Sequence, residues 1–530
     1  MPSPLLLFTG IKWSLYLIPA VGEVNFKRDS THGRLFELKV LFIYPNTSGA
    51  GEIPLSIGYL QSALKRDGHD VKIFDLSMYK AYSSTSDELQ TKVGQFKPVE
   101  ARNGLPVPII KDLDPETDLL QIIKDYNPGL VAVTSFTTNF KVGISLLEFI
   151  KRYFKDIYTI YGGIHTTLLP DEVISEPSVD MICIGEGEEL LVELCNKLES
   201  NSNITSIKNL WIKSNGKIIK TDLRPLIAPD NLPVLDFDGF DGYNFYRPLA
   251  GSLFRMANVD ISRGCPFRCS YCVNHTFQRL FAGLGKYHRV KSVKKAIDNL
   301  VHVKDKYNIE MMRFWDEDFG VFKLDYLKEF AEEYMKKVNL PFLIYAGVSS
   351  LNREKLEVLK DMGCVTIGMG IESGSEHIRR NILNRRMSNE KIVKVFNLVR
   401  DIGIRVSAYN MIGLPFETRE NIFETIELNR KSRPDTSSVV FLEPYPNTGI
   451  YSVSIENGYI EPGYVPTYDF FTPHIKEKLI SHKELKGLIK TFTLYTKVPR
   501  LLFPLVRICE QDNLISNSLF RILIKFYGGH

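Results

Sequence analysis

Short apolar runs alternate with amphipathic segments of helix length in two stretches of this chain, residues 39–198 and 258–445. This alternation predicts parallel sheets covered by helices, because a crossover between parallel strands needs room for a helix. In the first stretch the predicted strands are 39–44, 71–74, 130–133, 158–161 and 181–184, with helices at 57–67 and from 188 onward. In the second, the predicted strands are 257–261, 311–315, 342–346, 365–369, 405–411 and 438–442, with helices at 292–306, 323–337 and 389–402. The pattern predicts an α/β fold, in which a doubly wound, Rossmann- or flavodoxin-like sheet precedes a partial or full parallel (β/α) barrel.

Five regions follow from the same pattern. They are an N-terminal extension (1–36), the doubly wound domain (37–200), a linker with a hairpin at Asn215-Gly216 (201–250), the barrel (251–450) and a C-terminal helical cap (451–530). The extension is apolar from Leu5 to Val21, but Lys12 and Pro19 interrupt it. We therefore expect a disordered or surface-docked segment rather than a membrane anchor. Residues 80–115 are the least regular part and predict an inserted loop.

Charge is nearly balanced over the chain, with 66 basic and 62 acidic residues, which argues against a nucleic-acid partner. The segment 486–530 is an exception, because it holds seven Lys or Arg residues and two acids. Its runs at 493–507 and 519–526, rich in Leu and Phe, predict amphipathic helices. Such helices either pack as a cap on the barrel or lie on an anionic membrane or a lipophilic substrate. We expect the cap, with peripheral membrane contact as the alternative.

Three of the seven cysteines, Cys265, Cys269 and Cys272, lie within eight residues. This clustering is typical of a metal site in a reducing compartment rather than a disulfide framework, so we expect a cytoplasmic protein. Thiolates are the usual ligands of iron–sulfur clusters. Three of them leave the fourth iron of a [4Fe–4S] cube open to substrate, by the logic of an open catalytic metal position. Zinc held by these cysteines and His275 is the alternative.

The segment Arg263-Gly-Cys-Pro-Phe-Arg-Cys-Ser-Tyr-Cys272 follows the first predicted barrel strand and resembles the cluster motif of the radical SAM superfamily. The resemblance implies that the open iron binds S-adenosylmethionine and that reductive cleavage gives a 5′-deoxyadenosyl radical. It also implies an external electron donor of flavodoxin or ferredoxin type. Cys265, Cys269 and Cys272 become catalytic metal ligands, and Tyr271 lies where the family's backbone contacts adenine. Three later strand ends resemble family motifs for S-adenosylmethionine, with the candidate residues Asp316, Asp318, Glu372, Ser373, Leu414 and Pro415.

Small and hydroxyl-bearing residues follow the strands of the first domain, where they allow a ligand to approach the backbone. The candidates are Ser135, Thr137, Gly162, Gly163, His165, Gly185, Glu186 and Gly187. The glycine motifs resemble the cobalamin-binding domain that precedes the barrel in a large class of radical SAM enzymes. The loop from Pro45 to Leu55 holds no His, so the resemblance implies cobalamin bound without histidine ligation. A side chain of the Asn46–Ile53 or Thr134–Phe140 loop would then approach the cobalt; a flavodoxin-like module with a vestigial site is the alternative.

Together these resemblances imply a cobalamin-dependent radical SAM enzyme, in the class that includes class B methyltransferases and anaerobic Mg-protoporphyrin cyclases. The expected reaction is C-methylation of an unactivated carbon in a small or lipid-like substrate. One S-adenosylmethionine would be the methyl source and a second the radical source. One alternative keeps both cofactors in an oxidoreductase, a cyclase or a ring-contraction enzyme of the tetrapyrrole or hopanoid type. The other is a non-catalytic cobalamin or redox sensor.

Overall fold

The computed structural model describes residues 38–46, 52–79, 93, 95, 111–466 and 471–527. The expected N-terminal extension and most of the predicted loop at 80–115 lie outside the described residues. So do residues 47–51 of one of the two loops predicted near the cobalt. Within the described ranges two seven-stranded sheets follow one another along the chain, as the alternation predicts.

The first sheet is doubly wound. Its strands are β1 (Lys39–Tyr44), β2 (Asp70–Asp75), β3 (Leu130–Thr134), β4 (Tyr158–Gly162), β5 (Met181–Cys183), β6 (Leu210–Ser214) and β7 (Lys217–Lys220). Its helices are α1 (Leu55–Arg66), α2 (Pro115–Tyr126), α3 (Phe140–Tyr153), α4 (Ile164–Leu168), α5 (Pro170–Ser175) and α6 (Glu188–Glu199). The order β2-β1-β3-β4-β5-β6-β7 reverses direction between β1 and β3, which is where such sheets bind ligands. The first five strands are parallel, and the hairpin predicted for the linker continues this sheet as antiparallel β6 and β7.

Both faces of the first sheet are buried, because its strands are apolar along most of their length. In β1, Val40 and Phe42 pack in one apolar cluster with α1 and α6. Leu41 and Ile43 pack on the opposite face with α2 and α3. Continuous apolar strands are typical of parallel sheets covered on both sides, and the prediction of this layer is confirmed.

The second sheet is a partial barrel. Its strands, together with the small β10–β11 pair, are β8 (Tyr246–Leu249), β9 (Ser252–Val259), β10 (Ser262–Arg263), β11 (Arg289–Val290), β12 (Met311–Phe314), β13 (Phe342–Tyr345), β14 (Cys364–Glu372), β15 (Arg405–Ile412) and β16 (Thr436–Phe441). The helices are α7 (Val273–Leu280), α8 (Val293–Tyr307), α9 (Leu324–Lys337), α10 (Arg353–Asp361), α11 (Glu376–Asn381), α12 (Asn389–Asp401), α13 (Arg419–Ser432), α14 (Gly449–Glu456), α15 (His482–Lys497), α16 (Phe503–Cys509) and α17 (Leu514–Tyr527). The order is β16-β15-β14-β13-β12-β9-β8. In the described part of the chain the end strands β16 and β8 do not pair, so the partial form is the one observed.

The first barrel strand differs most from its prediction. The expected range was 257–261, whereas β9 runs from Ser252 to Val259 and pairs antiparallel with β8. The turn between them lies at Ala250-Gly251, where φ is +51° and +82°. Two successive positive φ angles are typical of a tight hairpin, and Ala-Gly is a weak sequence signal for it.

Helices cover the outer face of the barrel sheet. Met312, Ile344, Ile367 and Val406, from four successive strands, share one large buried cluster with these helices. Because side chains alternate along a strand, the residues between them point to the inside of the barrel, which we call the inner face.

Gln95, from the segment predicted as a loop at 80–115, lies against the edge strand β16 and is 3% exposed. Its side-chain amide donates to the Val439 carbonyl at 3.1 Å and accepts from the Val439 amide at 3.2 Å. It also accepts from the Ser438 hydroxyl at 3.2 Å. One side chain therefore occupies positions that a neighbouring strand would use.

The C-terminal helices α15, α16 and α17 form the predicted cap. Phe492 and Val506 share a buried apolar cluster with Ile412 of β15 and Val439 of β16. The other face exposes large apolar side chains, namely Leu501 (88%), Leu514 (88%), Ile515 (78%), Ile522 (55%) and Phe526 (73%). Among the described helices, none has both the length and the apolarity that crossing a membrane requires.

Candidate active site between the two sheets

The carboxyl ends of the two parallel sheets face each other, and some of the predicted site residues lie between them. Asn447, beyond β16, donates to the Leu168 carbonyl of the first domain at 2.6 Å. Asn258, on β9, donates to the Ile53 carbonyl at 3.3 Å. The strand ends of both domains therefore border one cleft.

The three cysteines lie on a loop between β10 and α7, and Cys272 immediately precedes the helix. All three are partly exposed free thiols. Gly264, just before Cys265, has φ +79°, and a Cβ there would come within 2.5 Å of the Tyr287 carbonyl. A glycine is therefore required at the start of this loop.

Side chains of neighbouring segments hold the cysteine loop in place. Gln278 of α7 donates to the carbonyls of Cys265 at 2.6 Å and Phe267 at 2.8 Å. Asn384 donates to the Arg268 carbonyl at 2.7 Å. These contacts fix the positions of three carbonyl groups of the loop.

Burial controls the chemistry of these thiols. It raises the pKa of Cys265 to about 12 and that of Cys272 to about 11. Bound iron reverses this effect, because the metal charge stabilises the thiolate. In the described chain no three His, Cys, Asp or Glu side chains converge on one point, as a single metal ion requires. Three cysteines that bind different irons of a cube need no such convergence.

Tyr271, Glu372 and Arg385 form a buried polar group beside Cys269. Arg385 donates to the Tyr271 hydroxyl at 2.8 Å and pairs with Glu372 at 3.3 Å, and the same hydroxyl donates to Glu372 at 3.1 Å. Burial raises the pKa of Cys269, and the charge of Arg385 opposes that rise. A guanidinium and a carboxylate at this place suit an amino-acid carboxylate and a sugar hydroxyl, so the residues fit S-adenosylmethionine.

The three carboxylates that follow β12 do not all face the cleft. Asp316 and Asp318 are buried and accept hydrogen bonds from neighbouring loops. Glu317, between them, is exposed in the cleft, and its charge raises the pKa of the Cys265 and Cys272 thiols. The sequence pointed to the two flanking residues, and the structure places the middle one beside the cluster cysteines.

The remaining strand-end motifs lie behind the cleft. Ser373, Leu414 and Pro415 are all buried, and Leu414 belongs to an apolar cluster against which Tyr271 packs. Glu417, which is not among the residues predicted from the sequence, accepts from two successive backbone amides at 2.7 and 3.1 Å. Burial raises the pKa of Glu417 to about 8. These residues fix the shape of the strand ends.

A cavity of about 390 Å³ opens at the carboxyl ends of β1, β3, β4 and β5. Its wall includes the predicted glycines Gly162, Gly163, Gly185 and Gly187. At Gly163, φ is +101° and a Cβ would lie 2.6 Å from the Ser135 carbonyl oxygen. The barrel contributes Asp260, Arg263 and Glu317 to the same wall. Because backbone lines the cavity at the point where the sheet order reverses, the site fits part of a large cofactor such as cobalamin.

The two loops predicted near the cobalt differ in what they present. The first is described only at its ends, where Asn46 is buried. The second contributes Thr134 to the cavity wall and leaves the ring of Phe136 50% exposed. Which side chain approaches the cobalt stays a prediction.

Three predicted contacts of the first domain are buried. Ser135 accepts from a tyrosine hydroxyl at 3.0 Å. The Thr137 hydroxyl and both ring nitrogens of His165 have no hydrogen-bond partner among the described residues. His165 stacks on Phe140 at 4.1 Å between ring centres, and burial lowers its pKa to about 4. His165 is therefore a neutral core side chain and does not line the cavity.

Glu186 and Glu188 join the two domains by ion pairs. Glu186 pairs with Arg263 at 3.2 Å and with Arg289 at 2.7 Å, and Glu188 pairs with Arg263 at 2.5 Å. The glycine before Glu186, whose Cβ would come within 2.8 Å of the Phe281 ring, lets the end of α7 pack on this loop. The motif predicted for cofactor binding thus also anchors the cysteine loop, since Arg263 lies two residues before the first cysteine.

A buried ion pair adds a second anchor, which the sequence analysis missed. Lys291 is 1% exposed and donates to Asp260 and to the Tyr59 hydroxyl of α1, both at 2.6 Å. Burial and the nearby Asp260 raise the pKa of Asp316 to about 7. The end of β9 is therefore tied to the first domain at the cavity wall.

Two family models match the chain. One is described as the Radical SAM superfamily and matches residues 259–428; the other is described as the B12 binding domain and matches residues 101–195. The matches coincide with the barrel and with most of the first domain. Both predicted cofactor domains are therefore confirmed.

Relatives and solved structures agree with this organisation. An uncharacterised methyltransferase of Pyrococcus horikoshii is 26% identical over 92% of this chain and 99% of its own length. The anaerobic magnesium-protoporphyrin IX monomethyl ester cyclase of Cereibacter sphaeroides is 24% identical over 84% of this chain and 68% of the cyclase. The radical S-adenosylmethionine methyltransferase TsrM of Kitasatospora setae, solved with cobalamin and a [4Fe–4S] cluster, gives a TM-score of 0.61 at 16% identity, over 81% of this chain and 76% of TsrM. The last comparison shows that the two folds are alike.

Proposed function

We propose that this radical SAM enzyme, in which a B12 binding domain precedes the Radical SAM domain, methylates an unactivated carbon of a small-molecule substrate. Its cofactors are a [4Fe–4S] cluster, S-adenosylmethionine and cobalamin. When bound, the cluster supplies the electron that cleaves S-adenosylmethionine to a 5′-deoxyadenosyl radical, and cobalamin supplies the methyl group. One observation carries the proposal: Glu317 lines the cavity of the first sheet, and its charge also raises the pKa of the cluster cysteine Cys265. Both cofactor sites therefore share one cleft.

The chain's own residues bind and enclose the reactants. Arg385 would hold the carboxylate of S-adenosylmethionine, and Glu372 would accept a hydrogen bond from its ribose. The ion pairs of Arg263 and Arg289 with Glu186 close one side of the cleft. Closure excludes water, which protects a radical from side reactions.

The test is anaerobic reconstitution with iron, sulfide, hydroxocobalamin, S-adenosylmethionine and a low-potential reductant. We expect both 5′-deoxyadenosine, which reports radical formation, and S-adenosylhomocysteine, which reports methyl transfer. Appearance of neither product, in a preparation whose iron and cobalamin contents are verified, contradicts the proposal.

Oxidative ring formation is the second candidate, because the chain is about as similar to the Cereibacter sphaeroides cyclase as to the uncharacterised methyltransferase. Product mass separates the two reactions. A gain of one CH₂ unit supports methylation, and a loss of hydrogen supports cyclisation. The sensor alternative is not supported, since the Radical SAM match spans the whole cysteine motif.

We also propose an external electron donor of flavodoxin or ferredoxin type that docks at the cysteine loop. There Phe267 is 38% exposed and Arg268 lies beside it, which offers an apolar and cationic contact to an acidic donor. A cytoplasmic location fits this chemistry, because all seven cysteines are free thiols. Reduction of the cluster by flavodoxin, compared between wild type and Phe267→Ser, tests the docking site.

The exposed face of the tail supports peripheral membrane contact through the cap. Leu514 and Ile515 are 88% and 78% exposed, and Arg507, Arg521 and Lys525 lie in the same two helices. Exposed apolar side chains with neighbouring cations favour an anionic membrane surface. We expect the protein to float with phosphatidylglycerol vesicles and not with phosphatidylcholine vesicles.

Two variants test this membrane contact. The Leu514→Ser/Ile515→Ser double variant removes two exposed apolar side chains of α17. Leu479→Ser is the matched control, because the Leu479 side chain is 58% exposed but lies outside these helices. Only the double variant should lose flotation. Absence of flotation in wild type would leave the tail as a cap alone.

A further inference from the structure

Three aromatic side chains lie together on the inner face of the barrel. Trp315 follows β12, Tyr345 ends β13 and Tyr409 lies on β15. Trp315 stacks on Tyr345 with ring centres 5.3 Å apart, and Tyr345 lies 6.1 Å from Tyr409. We call these three rings the aromatic platform.

The intervening strand β14 makes room for the platform. Gly368 pairs in register with Tyr345, and a Cβ on Gly368 would come within 2.8 Å of both Tyr345 and Tyr409. The two tyrosines therefore lean over a strand that has no side chain at this position. A glycine in a strand interior weakens the strand, and close approach by a ligand or another group is a usual reason for it.

The platform is open to solvent. Trp315 is 38% exposed and Tyr409 is 39% exposed, although both point into the barrel. Parallel barrels usually fill this space with packed side chains, so open aromatic rings here indicate a ligand surface. Trp315 lies two residues before Glu317 in the chain; both residues are exposed, and the charge of Glu317 raises the pKa of Cys265.

Cationic groups border the platform. The Arg313 guanidinium lies 4.2 Å above the Trp315 ring, and it donates to the Tyr345 hydroxyl at 2.6 and 3.0 Å. Arg313 also pairs with Glu52 of the first domain at 2.7 Å. The charge of Arg247 also lowers the pKa of the Glu52 carboxyl. Two guanidinium groups therefore act on the one Glu52 carboxylate.

We infer that the inner face binds the substrate, and that the substrate is a planar conjugated compound with a carboxylate: its ring lies on the platform, and its carboxylate binds Arg313 in place of Glu52. The inference rests on the proposed function and adds the substrate class. Flat rings stack on aromatic side chains, and a planar guanidinium binds a carboxylate through two hydrogen bonds. A saturated polycyclic lipid has neither property.

Anaerobic calorimetry on the cluster- and cobalamin-loaded enzyme tests the inference with two matched pairs of probes. They are indole-3-propionate with its amide, and protoporphyrin IX with its dimethyl ester. We expect at least one acid to bind, and its neutral partner to bind about tenfold more weakly or not at all, as for loss of a charge-assisted hydrogen bond.

Three variants refine the test. Trp315→Leu should weaken binding of the acid by about tenfold, as expected for lost aromatic stacking, whereas Trp211→Leu, on the distant β6–β7 hairpin, should not. Glu52→Gln should tighten binding, because it removes the carboxylate that competes for Arg313. A purely structural Glu52–Arg313 bridge predicts the opposite sign.

The outcomes separate the two levels of the proposal. Absence of binding by all four probes, equal binding of acid and neutral partner, or weaker binding by Glu52→Gln each overturns the inference. Formation of 5′-deoxyadenosine in the same preparation would then leave the proposed function intact. Binding without any S-adenosylmethionine cleavage would instead contradict the proposed function.

Discussion

Replacement of Glu186 by Gln should loosen the contact between the two cofactor domains. Its carboxylate accepts four hydrogen bonds, two from Arg289 at 2.7 and 3.1 Å, one from Arg263 at 3.2 Å and one from the Ile227 amide at 2.8 Å. Glutamine has nearly the same shape but only one acceptor oxygen and no charge. About half of these bonds are therefore lost, and the rest become neutral.

The magnitude follows from those contacts. Hydrogen bonds to a charged group contribute about 1.5–3 kcal/mol each and neutral ones about 1 kcal/mol. The Glu186 side chain is 20% exposed, so water replaces part of what is lost. We call the arrangement in which these contacts join the two domains the closed arrangement. We expect its stability to fall by about 2–3 kcal/mol, which is roughly a 30- to 150-fold change in its equilibrium constant.

Cobalamin affinity and limited proteolysis measure this change, because the cavity wall and the segment at 221–245 both depend on the closed arrangement. We expect weaker cobalamin binding and faster cleavage of that segment in Glu186→Gln. Glu189→Gln is the matched control, since Glu189 is 51% exposed and lies 3.5 Å from Arg224. Equal cobalamin affinity and equal protease resistance in wild type and Glu186→Gln would refute the reasoning.

Cobalamin binding should depend on pH differently in wild type and in Glu186→Gln. Burial alone would raise the pKa of Glu186, but hydrogen bonds from Arg289 and the charge of Arg263 outweigh it and hold that pKa below its usual range. The ion pair is therefore at full strength above the unfolded pKa of about 4.3 and is lost as pH falls through the lower folded value. Wild type should lose cobalamin in this acidic window, and Glu186→Gln should show a flatter profile there.

Three further predictions concern single residues. Cys265→Ala should abolish the iron and sulfide content of the reconstituted protein, whereas Cys364→Ala, at a buried cysteine away from the loop, should keep both. Gly163→Ala should lose cobalamin binding in a spectroscopic titration, because its Cβ meets backbone at 2.6 Å; Gly68→Ala, with a similar φ of +94° and open space, should keep it. Glu417→Gln should make the free energy of unfolding less dependent on pH between about 4.5 and 8, because burial raises the pKa of Glu417 to about 8 and wild type loses stability as pH rises through that range. An unchanged pH profile in urea unfolding would contradict the last prediction.

The sequence predicted most elements of the fold because most strands of both sheets are parallel and carry buried apolar side chains. Strand β1 is apolar along its length, and Val40 and Leu41 pack on its opposite faces. The prediction of such a strand therefore did not depend on a weak alternation of polar and apolar residues. The start of β9 was missed because Ala250-Gly251 is a poor hairpin signal beside Asn215-Gly216. The barrel could not be assigned as partial or full, since closure depends on whether β16 and β8 pair.

The candidate site was predicted less evenly. The cysteine spacing is local and required no knowledge of the fold. By contrast, Asp316 and Asp318 were chosen over Glu317 because the side-chain alternation at a strand end cannot be extrapolated through an irregular loop. The ion-pair roles of Glu186 and Lys291 were missed for a different reason, since their ion-pair partners lie on segments 31 to 103 residues away.

The contact of Gln95 with β16 has a consequence for solubility. An open barrel leaves an edge strand whose amide and carbonyl groups are available to strands of other molecules, a common start of aggregation. Gln95 satisfies both backbone groups of Val439 with one side chain. Replacement of Gln95 by Ala would therefore uncover a pairing edge, and we expect intermolecular β-association at high protein concentration rather than loss of catalysis.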